Sequence, residues 1–387
     1  MRAVVCQDGK LSVEEIDTPE PGPGEVLLRV RRSGICGSDL HARTHCDETA
    51  DAAGEVGYDG FMRSSQAVVM GHEFVGEVVS YGPKCRQKWA PGTLLVAMPM
   101  VRQGADPHLT GLSEHAPGGY AEYVVVNEDL SFEVPEGVSV DDAALTEPLA
   151  VAYHAVRRGA VGKGDVAVVI GCGPIGLAVV AMLKATGVRT VVASDLSAGR
   201  RDLAKQIGAD IVVDPKTDSP WERCVATGKY LDTAAQLFDA AFDGMHLLRR
   251  IPVVPWAPVF HLADRFGATP TGPVVFECVG VPGMIEHVVS HAPLRSRVVV
   301  VGVCMEADTF RPVLAINKEL ELRFVFGYDP AEFYETLHLI ATRRVEVGPL
   351  VTATIGFDGV AAAFEALESA EHHAKVLVDP TSEVATL

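Results

Sequence analysis

The chain has 387 residues, 48% of them hydrophobic, and a formal net charge of −18 at pH 7; its mass is 41.2 kDa and its mean hydropathy +0.19. That is apolar material for two cored domains, while the acidic balance has the wrong sign for a nucleic-acid or anionic-membrane partner. Eight cysteines, none in a Cys-x-x-Cys pair, exclude a disulfide framework or zinc-ribbon lobe and fit a reducing cytosol, and Met1 to Lys10 turns polar before a signal-peptide core could form.

From Arg2 to Val30 the pattern predicts short strands around a loop marked by Pro19, Pro21 and Pro23, with Val26 to Val30 a strand leading to Cys36. His45 to Gln66, rich in Gly and Asp, is expected to be irregular. Val68 to Val79, Gly92 to Ala97 and Tyr120 to Val126 read as further strands, so a first domain over 1–153 is expected to be β-rich. After Tyr153 the apolar runs Val166 to Ile170, Val188 to Ser194, Ile211 to Val213, Val274 to Cys278 and Val298 to Val301 alternate with helical stretches. Continuous apolar strands separated by helices predict a doubly wound α/β domain, 154–323, with a parallel sheet covered on both faces. The uncharged run Val166 to Leu183 approaches the length of a membrane span, but Gly171, Gly173, Pro174 and Gly176 divide it into strand, turn and helix.

Residues 221–273 stand out as an insertion. Leu231, Ala235, Phe238, Phe242, Met245 and Leu248 fall at helical spacing, and the proline-broken apolar run from Ile251 to Pro258 follows. The insertion either packs on its own domain or forms a subunit contact or a lid. The remainder, 324–387, has a helix-like segment at Ala331 to Thr342 and isolated strands, too little for a third core, and is expected to return to the first domain.

Gly171-Cys172-Gly173-Pro174-Ile175-Gly176 follows an apolar strand and opens a helix, the context in which G-x-G-x-x-G signifies a dinucleotide site. Gly171 permits the tight turn, Gly173 admits the pyrophosphate, Gly176 lets helix and strand approach, and the helix N-terminus favours the anion. Asp195 ends the second strand 19 positions after Gly176, where a carboxylate accepts hydrogen bonds from the adenosine ribose and repels a 2′-phosphate. NAD is therefore expected over NADP, with Arg200 and Arg201 keeping NADP open.

A thiolate, an imidazole and a carboxylate also arrive in the order a zinc enzyme needs: Cys36-Gly37-Ser38-Asp39-Leu40-His41, then Gly71-His72-Glu73 with Gly76-Glu77. Zinc takes all three donor types, and a set with one cysteine argues against a purely structural site.

With Gly118-Gly119-Tyr120-Ala121-Glu122-Tyr123, Glu147-Pro148-Leu149 and Asp195-Leu196-Ser197-Ala198 added, the chain resembles, over nearly its whole length, the zinc-dependent medium-chain alcohol dehydrogenases, especially the sorbitol, threonine and butanediol dehydrogenase branch. The resemblance implies a GroES-like catalytic domain beside the Rossmann domain, with Cys36, His72 and Glu147 as zinc ligands and Glu73 as a direct or switching one. It makes Asp39 the carboxylate that orients a ligand histidine. It also implies the chemistry: zinc lowers the pKa of a bound alcohol, so that a zinc-bound alkoxide releases hydride to NAD while Ser38 and then His41 carry the proton away. Arg200 joins the cofactor-binding set. Alternatives in the residues themselves are a helix N-terminal acid for Glu147, a loop-capping role for Asp39 and a surface position for His41.

Two departures from the family pattern matter. Gly92 to Tyr120 holds no cysteine, so the lobe that binds a structural zinc in many members is absent and one zinc per chain is expected. His45-Cys46-Asp47-Glu48, and His108 with His115, lack a coherent spacing for a second metal. The insertion and an enlarged segment between Cys36 and His72 leave the substrate open among secondary alcohols, polyols and related hydroxy compounds. A cytoplasmic homodimer or homotetramer is expected. The competing readings are a metal-free quinone or enone reductase of the same fold, which would have no use for the ligand set, and a noncatalytic nucleotide-binding protein.

Overall fold

The computed structural model describes residues 1–227, 230–250, 255–265, 269–368 and 373–387. They divide into two units, Met1–His154 with Gly327–Leu387, and Ala155–Phe326.

The first unit is organised by the strand Glu25–Gly34, whose Val26, Leu27, Leu28 and Val30 are buried. It pairs antiparallel with Glu73–Tyr81, with Tyr123–Asn127, and near its end with Lys375–Val378. The register sets Gly34 opposite both Glu73 and Leu377. The strand end that runs into Cys36 thus lies between the His72-Glu73 strand and the returning C-terminal strand. This sheet of seven strands, antiparallel except where Val351–Ile355 runs parallel to Lys375–Val378, makes the first unit β-rich as expected.

Between Cys36 and His72 the expectation of an irregular stretch from His45 to Gln66 holds from Val56 onward but fails before it. Gly37–Glu55 is a helix with a kink at His45, not a stretch that becomes irregular there. Ala42, Cys46 and Ala50 are buried at four-residue spacing, and Ala42 and Cys46 of this narrow stripe share a core cluster with Ile35, Met62 and Phe364. Small residues carry the helical period, while the Gly, Asp and Glu that suggest a loop occupy its other faces. The returning segment also holds more than the single expected helix: Val360–Glu368 follows Pro330–Ala341, with strands Val351–Ile355 and Lys375–Val378.

The second unit is a six-stranded parallel sheet. Across it run Ile211–Val213, Thr190–Ser194, Val166–Ile170, Val274–Glu277, Arg297–Val300 and Glu321–Phe324, the order 3-2-1-4-5-6 of a dinucleotide-binding fold. Glu321–Phe324, a short amphipathic edge strand, has no counterpart among the expected strands. A Cβ on Gly176 would overlap the Gly171 carbonyl oxygen, so only glycine lets the helix Pro174–Ala185 start so close to the strand before it.

In the insertion, Trp221, Cys224 and Tyr230 join the core of the sheet, and Val166 N–H donates to the Tyr230 hydroxyl at 2.7 Å. The helix Ala234–Arg249 forms at the expected spacing but buries no residue: Phe238, Phe242 and Leu247 are exposed, as are Trp256, Phe260 and Leu262 in the helix Trp256–Arg265. The insertion is therefore docked at its start but not over these two helices. Ile251 to Val254 lie outside the described residues. No helix among the described residues is long and apolar enough to cross a membrane.

Candidate active site

Asp39 organises the metal-ligand candidates. It is fully buried in the first turn of the helix Gly37–Glu55, where its Oδ2 accepts from the Cys36 N–H at 3.0 Å and from the Tyr120 hydroxyl at 2.6 Å. Its Oδ1 lies 3.1 Å from His72 Nδ1, a close charge contact rather than a well-aligned hydrogen bond. Burial pushes the Asp39 carboxyl up, but the His72 charge and these bonds outweigh it and hold it below the usual carboxylate range. Burial likewise disfavours the His72 cation, yet Asp39 and Cys36 carry its pKa well above the ordinary histidine value. Tyr120 reaches Asp39 because Gly71 makes room, a Cβ there falling 2.6 Å from the Tyr120 ring at a backbone φ of +95°.

With Nδ1 toward Asp39, the other ring nitrogen of His72 faces the cysteine. Ser38 Oγ is 3.1 Å from His72 Nε2 and 3.1 Å from Cys36 Sγ. Cys36, His72 and Glu73 bring one ligand atom each to within 4.8 Å of one another, the one such group among the described residues. One thiolate, one imidazole and one carboxylate converging behind a serine hydroxyl fit a zinc ion, and the carboxylate at Nδ1 is the partner a ligating histidine requires.

The two glutamates near this group differ in their partners. Glu73 is fully buried, and both its oxygens accept from Lys375 Nζ, at 2.7 and 2.8 Å, while the same ammonium donates to the Ile35 carbonyl at 3.1 Å. Burial disfavours the Lys375 cation, but Glu73 and Cys36 overcome this and raise its pKa. Glu147 lies in the first turn of the helix Thr146–Gly159, outside the group of mutually close ligand atoms, and its Oε1 accepts from the Tyr328 hydroxyl at 2.8 Å. Burial pushes its carboxyl up to about 7, with His72 opposing and Glu73 adding; a bound dication would favour its ionised form.

His41 follows Ser38 by one turn of the same helix and is exposed, yet partial burial and neighbouring His45 lower its pKa. Neither His45-Cys46-Asp47-Glu48 nor His108 with His115, which lack a coherent metal spacing in the sequence, gathers three ligand atoms among the described residues. Asp47 instead accepts from the Ser64 hydroxyl, and His108 Nδ1 meets Ser113 Oγ at 3.1 Å with its ring edge-on to His115.

In the second unit Gly173, Pro174 and Ile175 form the partly open first turn of their helix. A Cβ on Gly173 would meet nothing nearer than Arg200 Nη1 at 3.9 Å, leaving a cradle where a pyrophosphate can approach the backbone. Asp195 accepts from the Cys172 and Ser197 N–H groups, each at 2.7 Å, and each oxygen keeps a lone pair for a ribose hydroxyl. Arg200 Nε is buried without a hydrogen-bond partner, a donor that a nucleotide would satisfy. Arg201 is spent on the Asp195 and Leu196 carbonyls and on Asp214 at 3.0 Å.

Sequence reasoning assigned no role to Lys375 or Tyr328. Lys375 left a signal, a charged residue opening the apolar strand Lys375–Val378 in which all residues are buried. Tyr328, in a mixed segment after the sixth strand, left none.

Residues 22–136 match the family model for the alcohol dehydrogenase GroES-like domain, and 174–244 match that for zinc-binding dehydrogenase. The chain is 30% identical to (R,R)-butanediol dehydrogenase of Bacillus subtilis (strain 168), covering 96% of both chains, and 29% identical to sorbitol dehydrogenase of Gallus gallus, covering 99% of this chain and 98% of the other. The crystal structure of the Bacillus subtilis enzyme superposes with a TM-score of 0.74 over 98% of this chain and 99% of that one. A zinc-binding dehydrogenase from Sinorhizobium meliloti 1021, solved bound to NADP, is 27% identical with a TM-score of 0.74 over the same shares.

Removing the ammonium from the buried Lys375–Glu73 pair leaves a carboxylate with no counter-charge. Lys375→Met is expected to destabilise the first unit by about 3–5 kcal/mol, read as a fall in the denaturant midpoint; an unchanged midpoint would contradict the pairing.

Proposed function

Because the chain belongs to the zinc-dependent medium-chain alcohol dehydrogenases, oxidoreductases acting on CH–OH groups, we propose that it oxidises a secondary alcohol or polyol with NAD, using Cys36, His72 and Glu147 to hold one zinc and Glu73 as a direct or exchanging ligand. The observation that carries this reading is the convergence of Cys36, His72 and Glu73 in front of the Asp39 carboxylate. When bound, zinc supplies Lewis-acid polarisation of the substrate oxygen and the nicotinamide accepts the hydride.

The chain's own groups handle orientation and the proton. Asp39 fixes which nitrogen of His72 is left for the metal. Ser38, its hydroxyl beside both Cys36 Sγ and His72 Nε2, is placed to receive the substrate's hydroxyl proton. His41, on the same helix face, passes that proton to solvent, and its lowered pKa keeps it neutral and able to accept at neutral pH. Asp195 favours NAD by taking the ribose hydroxyls; the unsatisfied Arg200 Nε leaves weaker NADP use in reach.

The substrate proposal draws on the relatives' names, which are those of diol and polyol dehydrogenases. Self-association is proposed from the edge strand Glu321–Phe324, paired on one side only among the described residues, and from the exposed Val313, Ile316, Phe324 and Phe326 close to it in sequence, the last 92% exposed. A homodimer or homotetramer covers this patch, and the eight free cysteines suit a reducing cytoplasm.

Zinc-loaded protein is expected to reduce NAD faster than NADP in the presence of butanediol isomers, sorbitol or a simple secondary alcohol, followed by nicotinamide absorbance. Failure with every secondary alcohol and polyol would sink the proposal, as would metal-independent quinone reduction. Alcohol oxidation should decline as pH falls through the His41 pKa, below its ordinary value of about 6.5. His41→Gln should remove that limb of the kcat/KM profile and slow oxidation by up to about 100-fold; an unchanged profile would exclude the relay. Sedimentation is expected to give a dimer or tetramer, and monomer alone at micromolar concentration would contradict the edge-strand contact.

A further inference from the structure

The helix that carries Glu147 is tied by side-chain pairs to Tyr328 and to the helix Pro330–Ala341 that follows it. Beside the Tyr328–Glu147 bond at 2.8 Å, the Tyr153 hydroxyl donates to Glu335 Oε2 at 2.9 Å, and His154 Nδ1 lies 2.7 Å from Glu332 Oε2. Glu147 and His154 are two turns apart on one helix face. Glu332 is itself fixed: it is buried and closes a capping box in which its Oε2 accepts from Asp329 N–H while its own N–H donates to Asp329 Oδ1. Tyr328 immediately precedes that box, with its ring 5.4 Å from the ring of buried Phe333. The phenol is therefore held from both sides, by ring packing and by the anchored start of the next helix.

Among the described residues, Tyr328 is the one hydrogen-bond donor to the Glu147 side chain. A glutamate side chain has three torsions to fix, and a carboxylate outside the converging group has to be aimed before it can serve a metal. A phenol keeps its proton at neutral pH, so the Tyr328 hydroxyl is the donor in this bond. The bond occupies Oε1 and leaves Oε2 unshared.

We propose that Tyr328 is a positioning residue for metal binding: clamped by the strap between the two helices, its hydroxyl orients the Glu147 carboxylate so that Oε2 is presented as a donor to the ion. The inference rests on Glu147 being a zinc ligand. It gives the segment just after the second unit a direct part in building the metal set.

The test is a double-mutant cycle on metal affinity, measured by competition with a chromophoric chelator on the full-length chain stripped of metal and reloaded with zinc. Tyr328→Phe, which keeps the ring and its packing, is expected to weaken zinc binding about 10–100-fold in a metal-free protein that still folds cooperatively, checked by its thermal transition. In the Co²⁺-loaded protein it should shift the visible ligand-field bands, because the coordination geometry changes while the Cys36 sulfur band persists. In a Glu147→Gln background, Tyr328→Phe should cause no further loss. Equal losses in both backgrounds, or an unaltered cobalt spectrum with unaltered zinc affinity, would overturn the positioning role. If Glu147→Gln alone leaves zinc affinity intact, the ligand assignment of Glu147 fails and the proposal with it. If Glu147→Gln weakens binding and Tyr328→Phe does not, Glu147 stands as a ligand and only the role of Tyr328 falls.

Discussion

A single buried carboxylate, Asp39, organises the candidate metal-ligand group. An ionised group without solvent is costly unless hydrogen bonds and counter-charge surround it, and Asp39 collects them from three segments far apart in sequence: the Cys36 N–H, the Tyr120 hydroxyl and the His72 ring. Meeting that demand fixes the backbone at the cysteine, the orientation of the histidine and the position of the loop carrying Tyr120. Gly71 belongs to the same constraint, since a side chain there would push the tyrosine ring away.

Charge balance around the group is set from the far end of the chain. Asp39 and Glu73 are both fully buried; the first faces the His72 ring, and the second is bonded through both oxygens to Lys375, reaching in from the C-terminal strand. A dication at the converging Cys36, His72 and Glu73 atoms would add to this compensation, and those donor types suit zinc. The pairing also explains a long connection in the fold. The strand Lys375–Val378 sits beside the Cys36 end of Glu25–Gly34 through Leu377↔Gly34 and Val378↔Ser33, and this register delivers the lysine to Glu73.

Much of this was legible in the sequence, for physical reasons that differ by element. The parallel sheet announced itself through continuous apolar runs, since strands covered on both faces have no polar side to show. The glycine turn was legible because the helix starts so close to the preceding strand that only glycine fits at Gly176, and Asp195 stands where expected, directly after the second strand. The helix Gly37–Glu55 was not, because its packing stripe is only Ala42, Cys46 and Ala50 and its acidic faces resemble a loop. The insertion showed its helical period, but period does not tell whether the apolar face is covered, and in Ala234–Arg249 it is exposed. The residues least visible beforehand, Lys375 and Tyr328, act through partners more than 180 positions away, and no local pattern encodes a pairing at that distance.

The central claim is that one zinc per chain is bound by a single sulfur with nitrogen and oxygen donors. The most direct measurement is zinc stoichiometry by plasma mass spectrometry together with X-ray absorption at the zinc edge, on protein purified without chelators. The account predicts about one zinc per chain with one sulfur and otherwise nitrogen and oxygen neighbours, and loss of the metal in Cys36→Ala. Metal-free protein that stays so after zinc reconstitution, or zinc with several sulfur neighbours, would contradict it.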